Sequence, residues 1–281
     1  RSSAASDVYK RQELTQLIEE QGGTVYDQYN GPAISLLRIE VMGSVLAQLL
    51  SIDVIATIDL PPQPDTFTQE ALELNLPDLP PVLLPDNAPI IGIIDSGIND
   101  HPLLEGAIVG AIGVPAELGA ADVWGHGTRV AGVAAFGDLR AQLATGGHLV
   151  CAARICSARV VNDAGRFDDH RLVPSQMREA LTTLNREFGC RIFSISLADT
   201  KSSPYAGGKV GPWTATLDEL ASELNALILV SAGNRHPRQA ERQEEGITDY
   251  PAYLLEASNR FLEPSAAINV LTVGSIAHGA G

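Results

Sequence analysis

The chain has 281 residues, 45% of them hydrophobic, which is enough for one large α/β domain with a sizeable core and a small appended unit. Its 34 acidic and 19 basic side chains give a formal charge of -15, which argues against a nucleic-acid partner, because phosphate binding relies on Lys and Arg displacing counterions. No apolar run approaches the roughly 18 residues of a membrane helix, and no signal-peptide succession is present, so no membrane role is expected. The three cysteines, Cys151, Cys156 and Cys190, are odd in number and lack C-x-x-C spacing. They are expected to be buried free thiols rather than a disulfide framework or zinc site.

The chain opens with Arg1, and Ser2 to Gln12 reads as adapter-derived sequence, so residues 1–12 are set aside as a non-native tail and any true targeting segment would lie outside view. From Glu13, Leu14, Leu17 and Ile18 fall at helical spacing, Gly22-Gly23 stop the helix, and Thr24 to Tyr29 reads as a strand. A second cycle follows, with a β-rich run from Ala33 to Val41, helical spacing from Val45 to Leu50, and strand-like composition from Ile52 to Ile58. Residues 13–60 therefore form a small α+β unit. Pro61, Pro62, Pro64, Pro77, Pro80, Pro81, Pro85 and Pro89 then punctuate residues 61–89, which read as a linker because proline fixes φ and lacks an N–H.

Residues 90–281 alternate short apolar runs with helical patterns. Strands are expected at Ile90–Ile94, Ala158–Val161, Ile192–Ser196, Leu227–Ser231 and Val270–Val273. Helices are expected from Thr128, around Ser175–Phe188 and at Thr214–Asn225. This alternation implies βαβ units and an α/β fold with a doubly wound, mostly parallel sheet. In such sheets chemistry sits just beyond the carboxyl ends of the strands.

Three segments meet that criterion. The apolar run Ile90 to Ile94 delivers Asp95 into a Ser96-Gly97 turn; taken alone, it is equally a turn-capping aspartate. His126 stands between Gly125 and Gly127 at a helix start, followed by small residues. A helix N-terminus and a nearby carboxylate together suit an imidazole that accepts and returns a proton. Flanking glycines suggest that something approaches closely there. The third apolar run, Leu227 to Val230, ends in Ser231-Ala232-Gly233-Asn234, and the Asn234 amide could donate to a developing oxyanion, although alone it reads as a turn residue.

Together, Asp95-Ser96-Gly97, Gly125-His126-Gly127-Thr128 with Val130-Ala131-Gly132, and Ser231-Ala232-Gly233-Asn234 resemble the aspartate, histidine and oxyanion motifs of the subtilase family, in the family's chain order. The resemblance covers about residues 90 to 277. It includes Ile192 to Leu197, similar to the strand whose end lines the substrate cleft, and Tyr250-Pro251-Ala252 with Val270 to Ser275, which lead toward the serine motif. It implies a serine endopeptidase acting on polypeptides. His126 would take the serine proton, Asp95 would orient the ring, and Asn234 would stabilise the tetrahedral oxyanion. Ser196, Leu197 and Ala198 would pair with extended substrate backbone, and Ser231, Ala232 and Gly233 would form part of the pocket for the side chain before the cut. Ala198 stands where glycine is frequent and Arg129 where histidine is frequent. Residues 13–60 resemble the propeptide inhibitor units of the family, lacking the first strand, which implies an intramolecular partner.

The family's Gly-Thr-Ser motif is not matched: after Asn234 the serines are Ser258, Ser265 and Ser275, none in that context. The chain is therefore expected to stop before its catalytic serine, leaving this fragment inactive and the complete protein active. The competing class is an inactive subtilase scaffold that binds peptides or partners; intact Asp95, His126 and Asn234 argue against it. A dinucleotide-binding domain would need a G-x-G-x-x-G after its first strand, and a metal hydrolase using Asp95, His126, His101 or His236 would need ligand spacing such as H-E-x-x-H. No segment matches a calcium loop, so cofactors stay unassigned. The charged run Arg235 to Glu245 reads as a solvated loop.

Overall fold

The computed structural model describes residues 3–32, 34–64, 80–234, 257 and 260–274. Helix α1 (Ser3–Glu20) leads into the antiparallel pair β1 (Thr24–Asn30) and β2 (Ser35–Glu40), followed by α2 (Gly43–Leu49). Ile18, Val45 and Leu49 form the buried centre of this unit, with Leu14, Leu17, Val25, Leu37 and Ile39 packed around them. Helix α1 begins inside the segment set aside as a tail.

Ile52 to Ile58, expected as a strand, is not one. Ile55 donates its N–H to the Ile52 carbonyl at 3.0 Å, and the backbone then runs irregularly. The reason is the spacing: Ile52, Ile55 and Ile58 recur every third residue and all three pack on the small core, whereas a strand needs alternation by two.

The proline-rich stretch is docked at both described ends. Pro64 forms an antiparallel bridge to Asp199, and β3 (Val82–Leu83) lies parallel to β6 (Leu149–Val150). Between these two short strands come β4 (Ile90–Asp95), β5 (Ile108–Gly113), α3 (His126–Phe136) and α4 (Leu139–Thr145). After them come β7 (Arg154–Arg159), α5 (Val173–Phe188), β8 (Ile192–Ile195), α6 (Pro212–Glu223), β9 (Leu227–Ser231) and β10 (Leu271–Val273).

The main sheet runs in the order β10-β9-β8-β4-β7-β5, with every neighbouring pair parallel. Alternate residues along each strand serve opposite layers, as the pleat requires. Ile93 and Ile155 join Ala131, Ala135 and Phe136 of α3 on one side. Ile94, Cys156 and Phe193 join Met177, Leu181 and Leu184 of α5 and Trp213 and Leu217 of α6 on the other. Helix α5 begins with Pro174 in its first turn and stops at Gly189, which returns its N–H to the Asn185 carbonyl in the left-handed conformation. The expected strand at Ala158–Val161 starts earlier, at Arg154, because the sheet's register with β4 holds Arg154 and Ser157 in line despite their polarity. All three cysteines are buried and free. Among the described residues, no helix is long and apolar enough to cross a membrane.

The N-terminal unit rests on α5 and α6. Tyr29, at the end of β1, donates its hydroxyl to Glu219 at 2.9 Å and accepts from Arg178 and Thr216, both at 3.2 Å. Asp27 accepts from the Leu172 N–H at 2.9 Å, and the Arg38 guanidinium donates to the Asp169 carbonyl. A shared buried hydrogen-bond cluster between two elements of distant sequence fixes one relative placement.

Candidate active site

Asp95 is the last residue of β4, the strand that lies inside the sheet between β7 and β8. Its side chain is fully buried, and Oδ1 accepts from the Ser96 N–H and meets His126 Nδ1, each at 2.7 Å. Its Oδ2 has no hydrogen-bond partner among the described residues. A carboxylate removed from water in this way is costly unless a cation-forming group stands beside it. His126 supplies one, with 23% of its side chain exposed, so the pair has a dry end and a wet end. An acceptor-only carboxylate on Nδ1 fixes the tautomer and leaves Nε2 as the ring nitrogen for proton exchange.

His126 opens α3, and two glycines make that placement possible. Gly125 holds the left-handed φ of 70° before the helix, a conformation other residues adopt at a cost. Gly127 packs so tightly that a Cβ there would lie 2.2 Å from the Gly97 carbonyl oxygen. The close approach suggested by the flanking glycines is thus the approach of α3 to the turn that follows Asp95.

Asp122, a residue the motif reading passes over, lies in the loop before α3 and is 5% exposed. Its Oδ1 accepts from the Ser96 hydroxyl at 2.8 Å and from the N–H groups of Trp124 and Gly125. Its Oδ2 accepts from the N–H and hydroxyl of Thr128. Burial pushes this carboxyl up, but the bonds from Thr128, Ser96 and Gly125 outweigh it and hold it below its ordinary range. The only sequence signal was an aspartate four residues before the histidine, which looks like any loop acid.

The remaining candidates sit at the neighbouring strand ends. Ser196, Leu197 and Ala198 follow β8; Leu197 and Ala198 are fully buried, and Ser196 is half-buried. The next residues carry chain on chain: the Gln63 N–H donates to Asp199 Oδ1, and the Thr200 N–H donates to the Gln63 carbonyl, each at 2.9 Å. Ser231 ends β9 and Ala232 and Gly233 follow it, with the Ala232 N–H donating to the Val273 carbonyl at 2.9 Å and Gly233 covered by Leu262. Asn234 is exposed at the same edge. The structure thus bonds Asp95 to His126 and sets the other candidates at or just beyond the ends of β8 and β9.

Ser265 is buried, and its hydroxyl is turned to the Leu262 carbonyl. His101 caps a short helical turn by accepting from the Leu103 N–H. His236, Tyr250-Pro251-Ala252, Ser258, Ser275 and the run Arg235 to Glu245 lie outside the described residues. A cavity of about 240 Å³ opens between Leu60 to Gln63 and Arg166 to Asp169, and neither Asp95 nor His126 lines it. Among the described residues, no group of His, Cys, Asp and Glu could hold a metal.

A parallel sheet that presents a buried aspartate and then a helix-start histidine at its carboxyl edge is the arrangement used by Asp-His-Ser hydrolases. A sequence model of the subtilase family matches residues 86–279, more than half of the chain, and the chain belongs to that family, which is one of serine proteases. Residues 6–60 match a second model, the Y4kK central domain. Two relatives come from Sinorhizobium fredii (strain NBRC 101917 / NGR234). The uncharacterized protein y4bN is 67% identical over 109 residues, 39% of this chain and 25% of that protein. The uncharacterized protein y4kK is 45% identical over 102 residues, 36% of this chain and 33% of that one. The aligned parts therefore cover a quarter to a third of those relatives' lengths. Solved structures of similar fold include the S41 psychrophilic protease, with a TM-score of 0.44, 20% identity and coverage of 69% and 55% of the two chains. The psychrophilic subtilisin-like protease Apa1 of Pseudoalteromonas sp. AS-11 has a TM-score of 0.42, 18% identity and coverage of 66% and 35%.

Proposed function

We propose that the chain carries the aspartate, histidine and oxyanion asparagine of a serine endopeptidase. The nucleophilic serine is supplied by sequence outside residues 1–281, and these residues by themselves do not cleave peptides. His126 Nε2 takes the proton of the serine hydroxyl as it attacks the peptide carbonyl. Asp95 stabilises the imidazolium so formed, and the proton then passes to the leaving amine. The Asn234 amide donates to the oxygen that becomes negative, a contribution of about 10²–10³-fold in kcat for subtilisin's own oxyanion asparagine. Ser196, Leu197 and Ala198 hold the substrate backbone, and Ser231, Ala232 and Gly233 border the pocket for the side chain before the cut. The observation that carries this reading is the 2.7 Å contact between the buried Asp95 carboxylate and the half-buried His126 ring.

The N-terminal unit is read as an intramolecular, propeptide-like partner. Two observations support it: Tyr29 is anchored between α5 and α6, and Gln63-Pro64 pair with Asp199-Thr200, directly after the residues assigned to substrate backbone. The test is to express the complete protein and treat it with a fluorophosphonate, which labels an activated serine. Labelling that disappears in His126→Ala supports the reading. A complete protein that never labels returns the chain to the class of peptide-binding scaffolds.

A further inference from the structure

We propose that Asp122 is a positioning residue for the Asp95–His126 pair. Its carboxylate ties the turn after Asp95 to the first turn of α3, and so sets the imidazole on the carboxylate. The inference rests on the protease reading of that pair and names a component that the triad does not include.

The geometry has three parts. First, Ser96, the residue after Asp95, donates its hydroxyl to Asp122 at 2.8 Å while accepting from the Gly127 N–H at 3.0 Å. The residue beside the aspartate and the residue beside the histidine thus share one hydroxyl, which Asp122 orients. Second, Asp122 Oδ2 takes both the N–H and the hydroxyl of Thr128, at 2.8 and 2.7 Å, which fixes the first turn of the helix two residues beyond His126. Third, the Asp122 backbone is itself clamped: Asn99 accepts from its N–H at 2.9 Å and donates to its carbonyl at 2.7 Å. The buried Arg159 guanidinium holds the same loop by donating to the Leu118 and Ala121 carbonyls, each at 3.0 Å.

A plain helix cap would bond one or two N–H groups of the first turn and nothing else. Asp122 does that and also reaches Ser96, across 26 residues of sequence, at the hydroxyl that joins the neighbour of Asp95 to the neighbour of His126. Its carboxylate bonds go to Ser96, Trp124, Gly125 and Thr128, the neighbours of the pair, so it acts through position and not through proton transfer. Charge-assisted bonds from several donors to one buried carboxylate are stiff, and a stiff second layer holds reacting groups to the tolerance that catalysis needs.

The experiment is proton NMR on the 281-residue chain, reading the far-downfield, slowly exchanging proton that an imidazole N–H gives when held on a carboxylate. Asp95→Asn is the reference and should remove the signal. Asp122→Ala and Ser96→Ala should weaken the signal or move it upfield while the chain still unfolds cooperatively, and Thr128→Ser, which keeps the hydroxyl, should retain it. Should Asp122→Ala fail to fold, Asp122→Asn is read at the same resonance. In the complete enzyme the same substitution should lower kcat by about 10- to 100-fold with KM within about twofold. Folded Asp122 variants with an unaltered signal overturn this inference alone and leave Asp122 a stabilising cap. A signal indifferent to Asp95→Asn overturns the reading of the pair as well.

Discussion

The contact between α3 and the turn after Asp95 can be probed with one chemical change made at two places in one helix. At Gly127, a new Cβ would meet the Gly97 carbonyl oxygen at 2.2 Å and the Asp95 Cβ at 3.2 Å. The first obstacle is backbone. Gly97 itself holds φ 110° with its own missing Cβ only 2.5 Å from the Ala120 carbonyl oxygen, so it cannot retreat. Relieving the overlap requires about 1 Å of separation between helix and turn. Overpacking of this kind costs about 1–3 kcal/mol, and the gain of alanine over glycine in a helix returns at most about 1 kcal/mol. Gly127→Ala should therefore destabilise the chain by about 1–2 kcal/mol and draw His126 off Asp95. At Gly132 a Cβ meets nothing within 4 Å and the backbone is ordinary helix, so the same substitution should stabilise by about 0.5–1 kcal/mol. Urea unfolding followed by circular dichroism reads both signs. A Gly127→Ala variant as stable as wild type, or a Gly132→Ala variant clearly less stable, would refute the packing argument.

The docking of the N-terminal unit should depend on Arg178, which bonds Glu219 at 3.0 Å, Glu223 at 2.5 Å and the Tyr29 hydroxyl at 3.2 Å. With partial exposure discounting the charge pairs, Arg178→Ala should cost about 1–2 kcal/mol and expose residues 3–60 to limited proteolysis before the rest of the chain. Arg178→Lys should restore only part of the protection, because a single ammonium cannot reproduce the fork. Two carboxyls should give opposite pH dependences. Glu263 is pushed up by burial, with the Thr214 and Trp213 N–H groups opposing and Asp199 and Asp59 adding to it. The folded state therefore holds its proton more tightly than the unfolded chain, and stability is lost as pH rises through the raised value. Glu263→Gln should remove that loss, so its melting temperature should gain on wild type as pH increases. Asp122 is held low, so its contribution is present above the ordinary aspartate range and lost as pH falls through its lowered value. The stability gap between wild type and Asp122→Asn should accordingly close in acid.

What the sequence exposed and what it hid divide along one physical line. Asp95 and His126 were legible because each follows a local pattern, an apolar strand feeding a turn and a glycine-flanked helix start, and both patterns appear in place as β4 and α3. The strand at Leu227–Ser231 was legible for the same reason. Asp122 was not, because its meaning depends on Ser96 and Thr128, which only the folded sheet brings to it. Strand β5 hides in the sequence because Gly110 breaks its apolar run; in place, Gly110 leaves the room that the Phe188 ring fills. The linker reading anticipated neither strand β3 nor the pairing of Pro64 with Asp199, a contact across more than a hundred residues.

The topology explains why the pair sits at Asp95 and not at another strand end. From β4 the chain runs outward to β5, returns through α3 and α4 to β7, and then crosses by α5 over β4 to begin the other half at β8. Winding therefore reverses about β4, and the helices on its two sides belong to opposite layers: α3 packs with Ile93, while α5 and α6 pack with Ile94. A reversal opens a crevice at the carboxyl end of the central strand, since no single helix covers it. Asp95 stands at that end of β4, and α3, from one layer, supplies His126 to it. The opposite layer, α5 and α6, is left as the face on which the N-terminal unit rests, so one reversal accounts for both the place of the pair and the place of its neighbour.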